Sequence, residues 1–241
     1  MAKRRRELRV LKRRTLVFLC VGMLSAAATA TKDLMDARDR QDSAALDRFV
    51  KQDQQAAQQA STSAEASYQL ALAYSYSAEV AMELHNKKRA ETMAEAGLDP
   101  AKKAVEQNGK KAEYHRLLGE LCGQVIPANP IFGALKYGQC ARDEINKALE
   151  LDSNLALAYV SRGVGNYYLP SSMGGGIDLA IKDLDKAIAL NPNLAEAYLW
   201  KGITLRKANR DAEARTLFER ALQLDPNRLW AKEQLSKTPA K

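Results

Sequence analysis

The stretch AEAYLWKGITLRKANRDAEARTLFERALQLDPNR, residues 195–228, reads as two helices around one tight turn. Its small residues are spaced for close contact: Gly202 in the first helix, Ala214 and Ala221 seven apart in the second. A helix that presents glycine or alanine lets a neighbouring backbone approach, while larger side chains fill the seam around it. Asp225-Pro226 closes the unit with a turn-forming pair. One such hairpin cannot bury its apolar face alone, so the pattern should recur along the chain.

It recurs four times. The opening helices are AEASYQLALAY from Ala64, AEYHRLLGELC from Ala112, ALAYVSRGVGN from Ala156 and AEAYLWKGITL from Ala195. A small residue stands eight places into each, at Ala71, Gly119, Gly163 and Gly202. A second helix follows with small residues seven apart: Gly97 and Ala104, Ala141 and Ala148, Ala180 and Ala187, Ala214 and Ala221. From each second helix to the next first helix the spacing is a constant 15 residues. Within the units it shrinks along the chain, from 26 to 22, 17 and 12. All extra length therefore lies between the first (A) and second (B) helix of a unit.

These insertions differ in character. The first, YSYSAEVAMELHNKKRAETMAEAG, reads as added helix, with Asp99-Pro100 as an N-cap and first helical residue or a kink. The second, GQVIPANPIFGALKYGQC, reads as an irregular loop, with or without a short helix in it. The third contains MGGG, residues 173–176. Glycines before a helix can cradle phosphate, but no strand precedes them and no Lys-Ser/Thr follows, so the stretch reads as a turn.

On Tyr198, Gly202, Leu205, Ala214, Phe218, Ala221 and Pro226 the last unit resembles a tetratricopeptide repeat (TPR), with Lys201 departing from the leucine usual there. The resemblance implies an all-α, right-handed TPR-like solenoid of antiparallel helix pairs with enlarged A–B turns. Its repeats would span 64–111, 112–155, 156–194 and 195–228, capped by polar helices at 31–63 and by a helix and tail at 229–241. It also implies a concave groove lined by the A helices. The exposed positions there would be Tyr68, Leu72, Tyr76, Arg116, Glu120, Val160, Val164, Tyr167, Tyr168, Leu199, Ile203, Arg206 and Lys207. Val160 and Leu199 stand where a Lys/Asn carboxylate clamp would place basic residues, which argues against capture of chaperone tails. The inserted turns add Ile126, Pro127, Pro130, Ile131, Phe132 and Tyr137, and then Leu169, Pro170 and Met173. The two turns are expected to pack together over one end of the groove and, with Arg116, Tyr167 and Tyr168, to form the principal binding surface.

The net charge of +8 is concentrated at the start, where MAKRRRELRVLKRR carries eight basic residues and one acidic. The apolar run TLVFLCVGMLSAAA and the small-x-small exit ATA follow, the order of a secretory leader, residues 1–30. Cleavage after Ala30 would leave 29 basic and 28 acidic residues, removing the support for nucleic-acid binding. A periplasmic or secreted protein is expected, without membrane insertion once the leader is removed; retention of the leader would anchor it to the inner membrane instead. Cys20 is preceded by Leu19, too large for a lipoprotein signal.

Catalytic chemistry is sparse. His115 and Cys122 share a helix face and Cys140 begins the paired helix, yet no fourth ligand completes a zinc site. No metal, cofactor or enzymatic activity is expected. In an oxidising compartment Cys122 and Cys140 are candidates for a disulfide that closes the long turn. The function expected is an exported TPR scaffold in the bacterial envelope that binds a protein or peptide. The alternative is a periplasmic protein for a small amphipathic ligand, resembling the T-components of TRAP-type transporters.

Overall fold

A computed structural model of the chain describes residues 31–128 and 130–239, with the side chains of 128 and 130–132 outside that description. The expected leader, with Cys20, lies outside the described residues. The chain falls in two compact units, Met1–Asp36 and Ala37–Lys241, and the repeats lie in the second. The fold is all-α. A helix at 31–39 (α1) is followed by α2 (Ser43–Gln59), α3 (Ala64–Glu83), α4 (Lys87–Gln107), α5 (Ala112–Val125) and α6 (Pro130–Leu151). The remaining helices are α7 (Ala156–Tyr168), α8 (Ile177–Leu190), α9 (Ala195–Lys207), α10 (Asp211–Leu224) and α11 (Leu229–Ser236).

The helices pack in sequence as the repeat pattern requires. α3 pairs with α4, α5 with α6, α7 with α8 and α9 with α10, and each B helix packs on the next A helix. Successive A helices also touch one another, α3 with α5, α5 with α7 and α7 with α9, so they share one face of the solenoid. The small residues are the points of approach. A Cβ added at Gly202 would lie 2.5 Å from the Phe218 ring, and one added at Gly119 would lie 2.7 Å from Ile145. Phe218, Ala148, Ala180, Ala187 and Ala214 are fully buried. Asp152, Asn191 and Asp225 close the B–A edge with the same Asx turn, each side-chain oxygen accepting from the N–H two residues on at 2.9–3.1 Å. The first such turn, at Asn108, has only the backbone bond that all four share, in which the N–H of residues 111, 155, 194 and 228 returns to the carbonyl three residues back at 3.1–3.4 Å. That local turn keeps the spacing on this edge constant.

The A–B edge is built in three ways. In the first and last repeats the turns are alike, with His85 and Asn209 both left-handed at φ 60° and the following N–H returning to the helix. What differs is helix length: α3 and α4 have 20 and 21 residues, against 13 and 14 for α9 and α10. Asp99-Pro100 is neither a helix start nor a boundary. Asn86 caps α4 through Arg89 N–H, and Pro100 lies inside the helix.

The second insertion is a correction to the loop reading. After a short 3-10 turn at Ile126–Ala128, α6 begins at Pro130 and runs for 22 residues. Proline suits a first helical position because its missing N–H would have no partner there. Gly133 lets the new helix cross the turn, since a Cβ would come within 2.9 Å of the Ile126 backbone. In the third insertion the glycine N–H groups are consumed internally. Gly174 donates to Ser171 O, Gly175 to Pro170 O and Gly176 to Asn166 O, all within 3.1 Å. Gly174 and Gly176 adopt φ of 84° and 116°, which glycine tolerates without strain. This segment is a turn, with no backbone donors from these three glycines left to hold a phosphate.

Candidate functional site

The A-helix face is occupied by the protein's own side chains. Arg116 is buried on α5, where its guanidinium donates to Glu113 at 2.6 and 2.8 Å and pairs with Glu120. Glu120 also accepts from Ser161 on α7 and Ser75 on α3, at 2.9 and 3.1 Å, so this cluster ties three A helices together. Tyr68 donates to Glu113 at 3.0 Å and its ring packs 5.0 Å from that of Tyr114. Burial beside Glu113 pushes its phenol well above the ordinary range. Leu72, Val160, Leu199 and Ile203 are buried seam residues.

A second cluster spans the face from the first repeat to the last. Arg228, 1% exposed, donates to Glu83 at 2.5 and 3.1 Å and to Glu79 at 2.6 Å, both on α3. Its Nε lies 3.6 Å from Glu196 of α9 and 3.7 Å from Asp39 of α1. Arg38 binds Asp39 at 2.6 and 2.8 Å and covers the ring of Tyr76 at 5.0 Å. Burial pushes the Glu79 carboxyl up to about 8, against the pull of Arg38 and Arg228, and the Asp39 carboxyl to about 6. Burial opposes ionisation of Glu196 as well, but Arg228 and Arg38 outweigh it and hold that group below its usual value.

Beside this cluster runs a chain of aromatic rings. Tyr168 and Tyr167 meet edge to face at 4.9 Å, Tyr167 and Trp200 at 5.9 Å, and Trp200 and Trp230 at 5.2 Å. Lys207 stands 4.1 Å over Tyr167 and donates to its carbonyl at 2.8 Å. Tyr168 is 55% exposed, whereas Tyr167, Trp200 and Trp230 are half-buried. Arg206 is engaged by α11, donating to Gln234 at 2.5 and 3.2 Å.

The inserted turns do not come together. The Ile126–Ala128 turn packs on α4, α5 and α6, and among the described residues no comparable packing joins it to the Ser171–Met173 turn. Tyr137 reaches α4 instead, donating to Glu95 at 3.3 Å. The side chain of Phe132 lies outside the described side chains. Cys122 and Cys140 are joined, tying α5 to α6. His115 faces Glu144 at 2.6 Å and Gly109 O at 3.0 Å, so neither it nor the cysteines form a metal set. Among the described residues no group of three His, Cys, Asp or Glu is placed to hold a metal, and no helix is long and apolar enough to cross a membrane. An open cleft of about 480 Å³ lies between α2, α3 and α4, over Ala57, Leu70 and Pro100 with Gln54, Asp99 and Lys103 around them.

Sequence reasoning passed over Trp200, Arg228 and the carboxylates of the second cluster. One signal was present. The residue ending the B–A turn is an exposed Lys111 in NGKK and Leu155 or Leu194 in DSNL and NPNL, whereas in DPNR it is Arg228. A buried arginine where the two preceding units have leucine marks a departure from pure packing.

Helix pairs, shared A-helix face and closing turns define a TPR solenoid, and residues 195–228 match the family model described as tetratricopeptide repeat. A longer match over residues 28–172, more than half of the chain, is to the model described as regulator of microtubule dynamics protein 1-3, and the chain belongs to that family. No curated protein matches the sequence. Among solved structures it is similar to TTC0263, a thermophilic TPR protein of Thermus thermophilus. The identity is 17%, with 83% of this chain and 97% of that chain covered at a TM-score of 0.57. Similarity extends to MamA at 21% identity, covering 88% and 100% of the two chains at a TM-score of 0.42. It also extends to YrrB, a TPR protein with an unusual peptide-binding site, at 19% identity over 78% and 82% with a TM-score of 0.40.

Proposed function

We propose that this protein is a non-enzymatic scaffold that docks a protein or peptide on the aromatic edge of its A-helix face. One observation carries the reading: the rings of Tyr167, Tyr168 and Trp200 form a connected surface, with Tyr168 more than half exposed, beside A-helix groups already engaged within the fold. Aromatic rings with a polar tip are effective anchors because they bury much area with few rotatable bonds. The repeat-family match and the fold support a binding role. Replacing Tyr168 and Trp200 together by alanine is expected to weaken partner capture by about tenfold or more, with helical content retained. Unchanged capture in a folded double variant would move the site elsewhere.

Export is part of the same reading. The leader-like order of residues 1–30 and the Cys122–Cys140 disulfide both suit an oxidising compartment. A second reading follows from the family match, whose description names a regulator of microtubule dynamics. Co-sedimentation of the purified chain with microtubules tests whether that role extends to it.

A further inference from the structure

We propose that the pocket formed by Asp39, α3 and α9 is a receptor for an arginine side chain, filled in the free protein by the chain's own Arg228 and vacated for the arginine of a partner segment. The proposal rests on the scaffold reading and names the chemistry of its partner. Asp39, Glu79, Glu83 and Glu196 surround two guanidiniums, those of Arg38 and Arg228, so carboxyl groups outnumber guanidiniums two to one. Glu83 takes Arg228 through both terminal nitrogens, and the Trp230 ring lies 5.4 Å from the guanidinium carbon. A carboxylate fork and an aromatic face select a planar guanidinium over an ammonium.

Two observations mark Arg228 as a replaceable occupant. The position holds an exposed Lys111 in the first repeat but Leu155 and Leu194 in the second and third, so the turn itself needs no cation. Arg228 also underfills the site: its Nε is buried without a hydrogen-bond partner, although two carboxylates stand 3.6 and 3.7 Å away. An arginine entering along a different line could use those acceptors. The residue immediately precedes α11, an eight-residue helix near the chain end, so its release need not unpack the four repeats. Arg38, tied to Asp39, would remain in place.

The test uses Arg228→Ala in the full chain, with guanidinium chloride or N-acetylarginine amide at millimolar concentration. Methylammonium chloride at equal ionic strength is the control. The variant is expected to melt below the wild type. Both guanidinium compounds should then raise its midpoint saturably, by about 5 °C, while methylammonium leaves it unmoved. N-acetylarginine amide should bind the variant about tenfold or more tightly than the wild type, whose pocket is already filled. No rescue, or equal rescue by both cations, overturns the proposal. Arg228→Leu, which restores the side chain of the second and third repeats, serves if the alanine variant does not fold. Failure of both to fold makes Arg228 a fixed strut and also overturns it. Partner capture is scored separately through Tyr168 and Trp200, so an absent arginine site with intact capture leaves the scaffold reading standing.

Discussion

Gly202 sets the distance between α9 and α10 by what it lacks. An added methyl would meet three atoms of the Phe218 ring within 2.9 Å, and that ring is fully buried. Alanine normally gains about 1 kcal/mol over glycine inside a helix. Here overpacking should outweigh that gain, and Gly202→Ala is expected to destabilise the protein by about 1–2 kcal/mol in urea denaturation. Glu79 makes a pH prediction. Its folded value of about 8 lies above the usual 4.5, so the native state keeps a proton that the unfolded chain releases. That contribution is complete below about pH 4.5 and is lost as pH rises through 8. Asp39 acts in the same direction up to about 6, whereas the depressed Glu196 loses its contribution only as pH falls below the usual carboxylate value. Stability should therefore decline between about pH 4.5 and 8, and Glu79→Gln should flatten that decline in thermal melts across the range.

Among the elements, the insertions shape the molecule in distinct ways. α3 is seven residues longer than α9, and the added turns carry Glu79 and Glu83 to Arg228. Length in the first repeat thus closes the face against the last. α6 gains its length at its start, and Cys140, midway along it, holds it to Cys122. A bridge spanning 18 residues stabilises by about 3 kcal/mol in the chain-entropy account. Replacing both cysteines by serine is expected to cost about that much in urea denaturation, with helical content kept because α5 and α6 still pack along their length. Titration of the unfolded, unreduced protein should find neither thiol reactive.

For the whole molecule, Arg228 turns a stack of neighbour contacts into a closed assembly. Repeat arrays normally communicate only between adjacent units, but this residue reaches 145 positions back to Glu83. Removing it leaves Glu79 and Glu83 buried without their main partner. Breaking a pair in this way typically costs about 3–5 kcal/mol, so the first and last repeats should loosen together in hydrogen exchange. Export is a prediction at the same scale. Intact-mass measurement of the protein from envelope extract should show a chain beginning at Thr31, and a species retaining Met1 or Ala2 would exclude cleavage there.

The order of helices, the four repeats and the constant B–A edge were legible in sequence because their causes are local. Glycine or alanine at a contact, and a short turn closed by a backbone bond over three residues, act on near neighbours and repeat in phase. The helical start of α6 was misread because prolines and glycines mark both loops and helix entrances, and only packing on Ile126 distinguishes them. The groove residues were harder still. Tyr68, Tyr76 and Arg206 stand at the expected positions, yet tertiary contacts bind them to Glu113, Arg38 and Gln234, while Arg116 is held by Glu113 and Glu120 of its own helix. Whether a groove is open or filled depends on which side chains curvature brings together, and residues 79 and 228 carry no local sign of meeting. Sequence periodicity determined the architecture by itself; closure of that architecture was decided in three dimensions, where buried carboxylates require a cation and Arg228 supplies it.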